Sequence, residues 1–194
     1  HTHNNLWFST AVRAIDHAVE SIYSPKANPF TDANCMHGLK MMQVALRATL
    51  KNPADLEARL NAQMAVWLST VGMGRGQHGA SHGISYSLSA IAGVPHGHCS
   101  CVLLPAALRF NKPDTRDRQA LIAELLGRPG GDAADALLEL IRELGQPTTL
   151  REVGVQRDQL SQIADTVIAS GQASGNPRPV GHRNDILKIL ETAW

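Results

Sequence analysis

The stretch GASHGISYSLSAIAGVPHGH, residues 79–98, carries two histidines fourteen positions apart with a break between them. His82 stands in a run of small and apolar residues that reads as a helix from about His78 to Ala92. His96 stands directly behind Pro95. Proline has no amide hydrogen for a continuing helix, so the chain breaks there and a new helix follows from about Gly97 to Phe110. The stretch therefore poses two questions together: how the helices on either side pack, and whether the imidazoles form a metal or catalytic site or serve as core histidines.

The remaining segments also read as helices. From Leu6 to Tyr23, Val12, Ile15, Val19 and Ile22 recur at helical spacing before Pro25 ends the run. A second helix is expected from Thr31 to Leu50, ending ahead of Asn52-Pro53. A third runs from Pro53 to about Thr70, with Pro53 at the first helical position and Asp55 and Glu57 in the first turn. Pro113-Asp114 opens the next, with Leu121, Ile122, Leu125 and Leu126 facing inward. Asp132 to Leu144 turns Leu137, Leu138, Ile141 and Leu144 inward, and Gly145 is a natural cap. A single turn at Thr149–Glu152 and helices at Gln156–Ser170 and Asn184–Trp194 complete the set, with Gly171–Arg183 as a surface loop. No alternating strand and no interdomain linker is evident. The reading is one all-α, multi-helix bundle.

Composition agrees with this. The 194 residues suffice for one domain with a sizeable core. Aromatics make up 4% against 43% hydrophobic residues, so Ala, Leu, Ile and Val must fill the interior, which suits close-packed helices. The net charge of +1 gives no reason to expect a nucleic acid or a membrane as partner. Cys35, Cys99 and Cys101 are odd in number and lack a CxxC spacing, which points to a reduced, cytoplasmic chain. Cys99 and Cys101 read as small buried hydrophobes. No apolar run reaches the roughly 18–20 residues of a membrane span. The first residue is His rather than Met, and we expect a piece of a longer polypeptide.

Other motifs are weaker. The glycine run GMGRGQHG at 72–79 has no strand before it and does not match GxGxxG, so it reads as a turn between helices. Among the nine histidines, His17 lies near inward positions of the first helix, and His78 and His82 are four apart on one face. A single such histidine is ordinarily a hydrogen-bonded structural residue, whereas three convergent imidazoles suit iron or zinc.

Four segments carry a resemblance to a known family. VRAIDHAVESIYS at 12–24 resembles a DAxxHAxEAY-type helix. HGISYSLSAIAGVPHGHCSCVLLPAALRFN at 82–111 resembles HxxxHxLGxxxxxPHGxxxAxLLPxxxxxN without a gap. LGQPTTLREVGV at 144–155 looks like LGLPTRLRELGV, and GNPRPVGHRNDILKILETAW at 175–194 looks like an NPRPxxxxDxxxIL ending. Together they resemble the C-terminal helical domain of the iron-containing alcohol dehydrogenases, the group that includes maleylacetate reductases.

The resemblance implies the helical domain of a dehydroquinate synthase-like two-domain enzyme. An N-terminal α/β domain, expected to be absent from residues 1–194, would bind NAD(P), and the helices would line the catalytic cleft. It also implies a small carbonyl or alcohol substrate and is compatible with a homodimer. Members that use a metal hold it with three histidines and an aspartate. The histidines fall on His17, His82 and His96, but the aspartate position carries Arg13, which cannot act as a ligand. Asp16, adjacent to His17 in sequence, is turned about 100° around the helix from it and is a poor replacement. A further family histidine, near the nicotinamide, falls on Tyr86.

Maleylacetate reductases also depart at the aspartate position, and Arg13 suits an anionic substrate through a bidentate pair. The expected site is therefore Arg13, His17, His82, Tyr86 and His96. The leading expectation is an NAD(P)-dependent reductase of a carboxylated substrate, inactive as the isolated chain. The alternatives are a metal-dependent alcohol dehydrogenase with iron or zinc on His17, His82 and His96, and a solitary non-enzymatic helical module.

Overall fold

The computed structural model describes residues 2–72 and 78–194, and among these every regular element is helical. The helices are α1 (Asn4–Ile22), α2 (Pro29–Lys51), α3 (Leu56–Thr70), α4 (Ala80–Ala92), α5 (His96–Asn111), α6 (Arg116–Leu125), α7 (Ala133–Glu143), α8 (Gln159–Ser170) and α9 (Arg183–Thr192). A 3-10 turn at Lys112–Asp114 leads into α6. None of the described helices is long and apolar enough to cross a membrane. Most of the glycine run at 72–79 lies outside the described residues.

α5 organises the bundle. Its Cys101, Leu104 and Leu108 join a core built with α1, α2, α6 and α7. Its Cys99, Val102, Leu103 and Ala107 join a second core with α4, α8 and α9. A helix apolar on all sides has to be central, and each fully buried leucine contributes about 1.5–3 kcal/mol. The three cysteines are free and buried. Burial pushes the Cys99 thiol up to about 12, so it behaves as a small hydrophobe.

The break at residues 93–95 forms as expected. Gly93 adopts φ +69° and its N–H bonds to the Ser89 carbonyl at 2.9 Å, closing α4 in a conformation that suits glycine. Pro95 follows with φ −58°, and His96 is the first residue of α5. One residue later, a Cβ on Gly97 would stand 2.8 Å from backbone atoms of Ser9, so only glycine lets the start of α5 press against α1.

Three local expectations need correction. α3 starts at Leu56 rather than Pro53, because the Asp55 carboxylate caps it by accepting the Ala58 N–H at 2.9 Å. Leu121 is exposed, and Gln119, Ile122 and Ala123 form the buried side of α6. In α7 the buried side is Ala133, Ala134, Ala136, Leu137, Leu140 and Ile141, with Leu138 only partly covered. On α6 and α7 the hydrophobic stripe is narrower than the sequence suggests, because these helices turn only part of their surface to their neighbours.

Candidate functional site

α1 places Arg13, Asp16, His17 and Glu20 on one face, at the spacing i, i+3, i+4 and i+7. That face meets the first turns of α4 and α5. His82 is the third residue of α4, and Ser100 lies one turn into α5. Asp16 is wholly buried, Glu20 is 8% exposed and His82 1%. Buried charges of this kind need partners.

The partners are present. Asp16 Oδ2 accepts hydrogen bonds from the hydroxyls of Ser81 at 2.8 Å and Ser100 at 2.6 Å. Arg13 Nη1 donates to Ser85 Oγ at 3.3 Å and Ser100 Oγ at 3.1 Å, and lies 3.7 Å from Asp16 Oδ2. His82 Nδ1 is 2.9 Å from Glu20 Oε2 and 3.4 Å from Asp16 Oδ1. The hydrogen bond therefore goes to Glu20, and Asp16 Oδ1 keeps no hydrogen-bond partner. The other ring nitrogen of His82, Nε2, lies 2.6 Å from Nδ1 of His17.

The two imidazoles have opposite acidity. Burial alone would drive the proton off His82, but the charges of Asp16 and Glu20 and the hydrogen bond to Glu20 outweigh it and hold the pKa up to about 10. His17 is pushed down to about 3, first by burial and then by the charge on His82. Burial works to raise Asp16, yet cationic His82 and Arg13 hold it well below the usual carboxylate range. We assign a cationic His82 donating its Nε2–H to a neutral His17, whose remaining proton then sits on Nε2.

A row of rings extends from this pair. His78 stacks on His82 with centroids 5.2 Å apart and planes 10° apart. The Tyr86 hydroxyl lies 3.5 Å from His78 Nε2, and the His96 ring meets Tyr86 edge-on at 6.1 Å. The structure thus brings Arg13, His17 and His82 into one cluster. Tyr86 joins through His78, and exposed His96 joins through Tyr86.

Sequence reasoning passed over Glu20, weighed Asp16 only as a replacement ligand, and placed His78 on the face of His82 without giving it a part in the site. The available signal was the polar spacing on α1, flanked closely by the apolar Val12, Ala14, Ile15, Ala18 and Val19.

The donor set does not fit a divalent ion at the position implied by the family. Arg13 puts a cation where an acidic ligand would stand, and His17 Nδ1 and His82 Nε2 already bond to each other. Among the described residues, the three-donor group with atoms within 4.8 Å of one another is Asp16, Glu20 and His82. Its charge is already countered by the imidazole itself and by Arg13.

An all-α domain with its buried charged residues gathered where α1, α4 and α5 meet defines the class, and the match to a known family is direct. Residues 8–194 match the C-terminal domain of the Fe-containing alcohol dehydrogenase family, and the chain belongs to that family. It is 31% identical to 1,3-propanediol dehydrogenase of Klebsiella pneumoniae, over 97% of this chain and 51% of that protein. It is 29% identical to maleylacetate reductase 1 of Cupriavidus pinatubonensis, over 94% of this chain and 50% of that protein. The crystal structure of maleylacetate reductase from Rhizobium sp. strain MTP-10005 superposes with a TM-score of 0.89 at 27% identity, over 99% of this chain and 53% of that one. The chain spans about half the length of the curated relatives it matches.

Proposed function

We propose that the chain is the helical catalytic half of an NAD(P)-dependent oxidoreductase that reduces a carbonyl compound bearing a carboxylate. The observation that carries this reading is Arg13. A guanidinium, 15% exposed and held by Ser85 and Ser100, stands on the same helix face as His17, where a metal-using relative has an acid. Such a group offers a carboxylate two parallel charged hydrogen bonds. Similarity to the maleylacetate reductases supports the same substrate class.

In this reading an N-terminal nucleotide-binding domain brings the nicotinamide, which supplies the hydride. The helical half binds and polarises the substrate. Arg13 holds the carboxylate. His17, with Nδ1 occupied by His82, offers its Nε2–H to the carbonyl oxygen and stabilises the negative charge that builds there. Tyr86 gives its hydroxyl proton to the resulting alkoxide and recovers one from solvent through His78. His96, edge-on to Tyr86, would border the substrate there. Residues 1–194 alone hold no nicotinamide and are inactive.

A second reading, a metal-dependent dehydrogenase of uncharged alcohols using iron or zinc at His17, His82 and His96, is favoured by the similarity to 1,3-propanediol dehydrogenase. Steady-state assays of the complete two-domain protein separate the two. The first reading expects NAD(P)H-dependent reduction of oxo-dicarboxylates that persists in the presence of chelator. Turnover of neutral diols alone, abolished by chelator, would establish the second.

A further inference from the structure

Four hydrogen-bond donors from two parts of the chain converge on the carboxylate of Glu20. Oε2 receives the backbone N–H of Gly79 at 2.9 Å and His82 Nδ1 at 2.9 Å. Oε1 receives the backbone N–H of Ser81 at 2.8 Å and the Tyr23 hydroxyl at 3.3 Å. The two backbone groups can only donate, so whatever lies between them must accept at both oxygens. A carboxylate meets that demand. A glutamine would turn its NH2 against one of the two N–H groups in either orientation, and an aspartate on α1 is one methylene short.

The approach is close as well. A Cβ on Gly79 would stand 2.5 Å from Glu20 Oε1, so the glycine leaves the carboxylate its space. Gly79 is also the residue before the first turn of α4, and it has no side-chain cap of its own. Glu20 therefore satisfies the open N–H groups at the start of α4 from a different helix, where the helix dipole favours negative charge.

We infer that Glu20 is the positioning residue of this site, acting through His82. By accepting from Nδ1 it fixes that nitrogen as N–H whether or not the ring is charged, and so aims Nε2 at His17. The same two oxygens seat the start of α4, so the orientation of His82 and the placement of its helix depend on one group. Asp16 Oδ1, at 3.4 Å and unpartnered, is the competing acceptor that Glu20 displaces. The catalytic part of this inference rests on the reading of His82 as a site residue, whereas the geometric part does not.

Nitrogen-15 NMR of the histidine side chains in the 194-residue chain tests the geometry. His82 should show a protonated Nδ1 with a strongly deshielded proton. Glu20→Gln should lose that proton signal while the helical circular dichroism is retained. Tyr23→Phe, which removes a donor that does not touch His82, should keep the signal and only lower the melting temperature. An unprotonated Nδ1 in the wild-type chain overturns the inference even if Glu20→Gln fails to fold, and so does an unchanged signal in a folded Glu20→Gln.

In the complete protein, Glu20→Gln should lower kcat about 10–100-fold with KM for the nicotinamide unchanged, the usual loss when a partner that orients a functional histidine is removed. A kcat equal to wild type overturns the catalytic role. A wild-type protein that reduces no carbonyl substrate overturns the oxidoreductase reading instead and leaves the NMR result to decide on Glu20.

Discussion

His82 Nε2 lies 2.6 Å from Nδ1 of His17, so the buried imidazole of His82 and the half-buried one of His17 share one proton position. The carboxylates on the far side of His82 keep it cationic, and that charge in turn keeps His17 neutral. Stability should therefore depend on pH in both directions. His82, with its pKa raised from 6.5 to about 10, contributes stabilisation that is complete below pH 6.5 and lost as pH climbs through about 10. His17, with its pKa lowered from 6.5 to about 3, opposes protonation, so stability falls as pH drops from 6.5 towards 3. Asp16, whose pKa is also lowered, adds to the acid loss below its ordinary value of 3.8. The melting temperature should peak near pH 6.5, and His82→Gln should flatten the alkaline side. An alkaline side unchanged in that variant would contradict the charge assignment.

Asp16 neutralises two cations from a fully buried position. Asp16→Ala leaves Arg13 and His82 undercompensated and strips the acceptor from Ser81 and Ser100. Breaking a buried pair by removing one partner costs about 3–5 kcal/mol, and urea denaturation should show a loss of that size. A loss under about 1 kcal/mol, the range of an exposed ion pair, would place Asp16 outside the network.

The fold was legible where a residue type carries its own backbone requirement. Pro95 marked the α4–α5 break, whereas the start of α3 was read three residues early at Pro53, because only the structure shows that Asp55 is the cap. Burial was less legible, as Leu121 shows, because spacing identifies a face but not how much of it a neighbour covers. His17 and His82 emerged as a pair from family resemblance, since spacing along two helices cannot say that they pack together. Glu20 stayed hidden because a glutamate on a helix ordinarily faces water. Its partners are backbone N–H groups of Gly79 and Ser81, which carry no side-chain signature.

Two glycines near the site should respond differently to substitution. Gly97→Ala drives a methyl into the Ser9 backbone at 2.8 Å, which cannot move without shifting α1, and overpacking of this kind costs about 1–3 kcal/mol. Gly93→Ala meets nothing within 4 Å and pays only for φ +69°, about 1–2 kcal/mol. Gly93→Asn should recover part of that loss, because asparagine tolerates the left-handed region, while Gly97→Asn should be worse than Gly97→Ala. Chemical denaturation of the four variants checks the order, and equal responses at the two positions would show that the contact between α1 and α5 is looser than described.

On the proposed function, Arg13 makes this a site for a carboxylated substrate. kcat/KM is compared on an oxo-dicarboxylate and on an uncharged carbonyl compound, for wild type and Arg13→Ala, in the full-length protein with the proposed nucleotide-binding domain. Loss of a charge-assisted pair worth about 1.5–3 kcal/mol should cut kcat/KM on the dicarboxylate by roughly 10–150-fold and leave the uncharged substrate nearly unaffected. An equal loss on both substrates, or no loss on the dicarboxylate, would contradict the claim and leave Arg13 as a structural partner of Asp16.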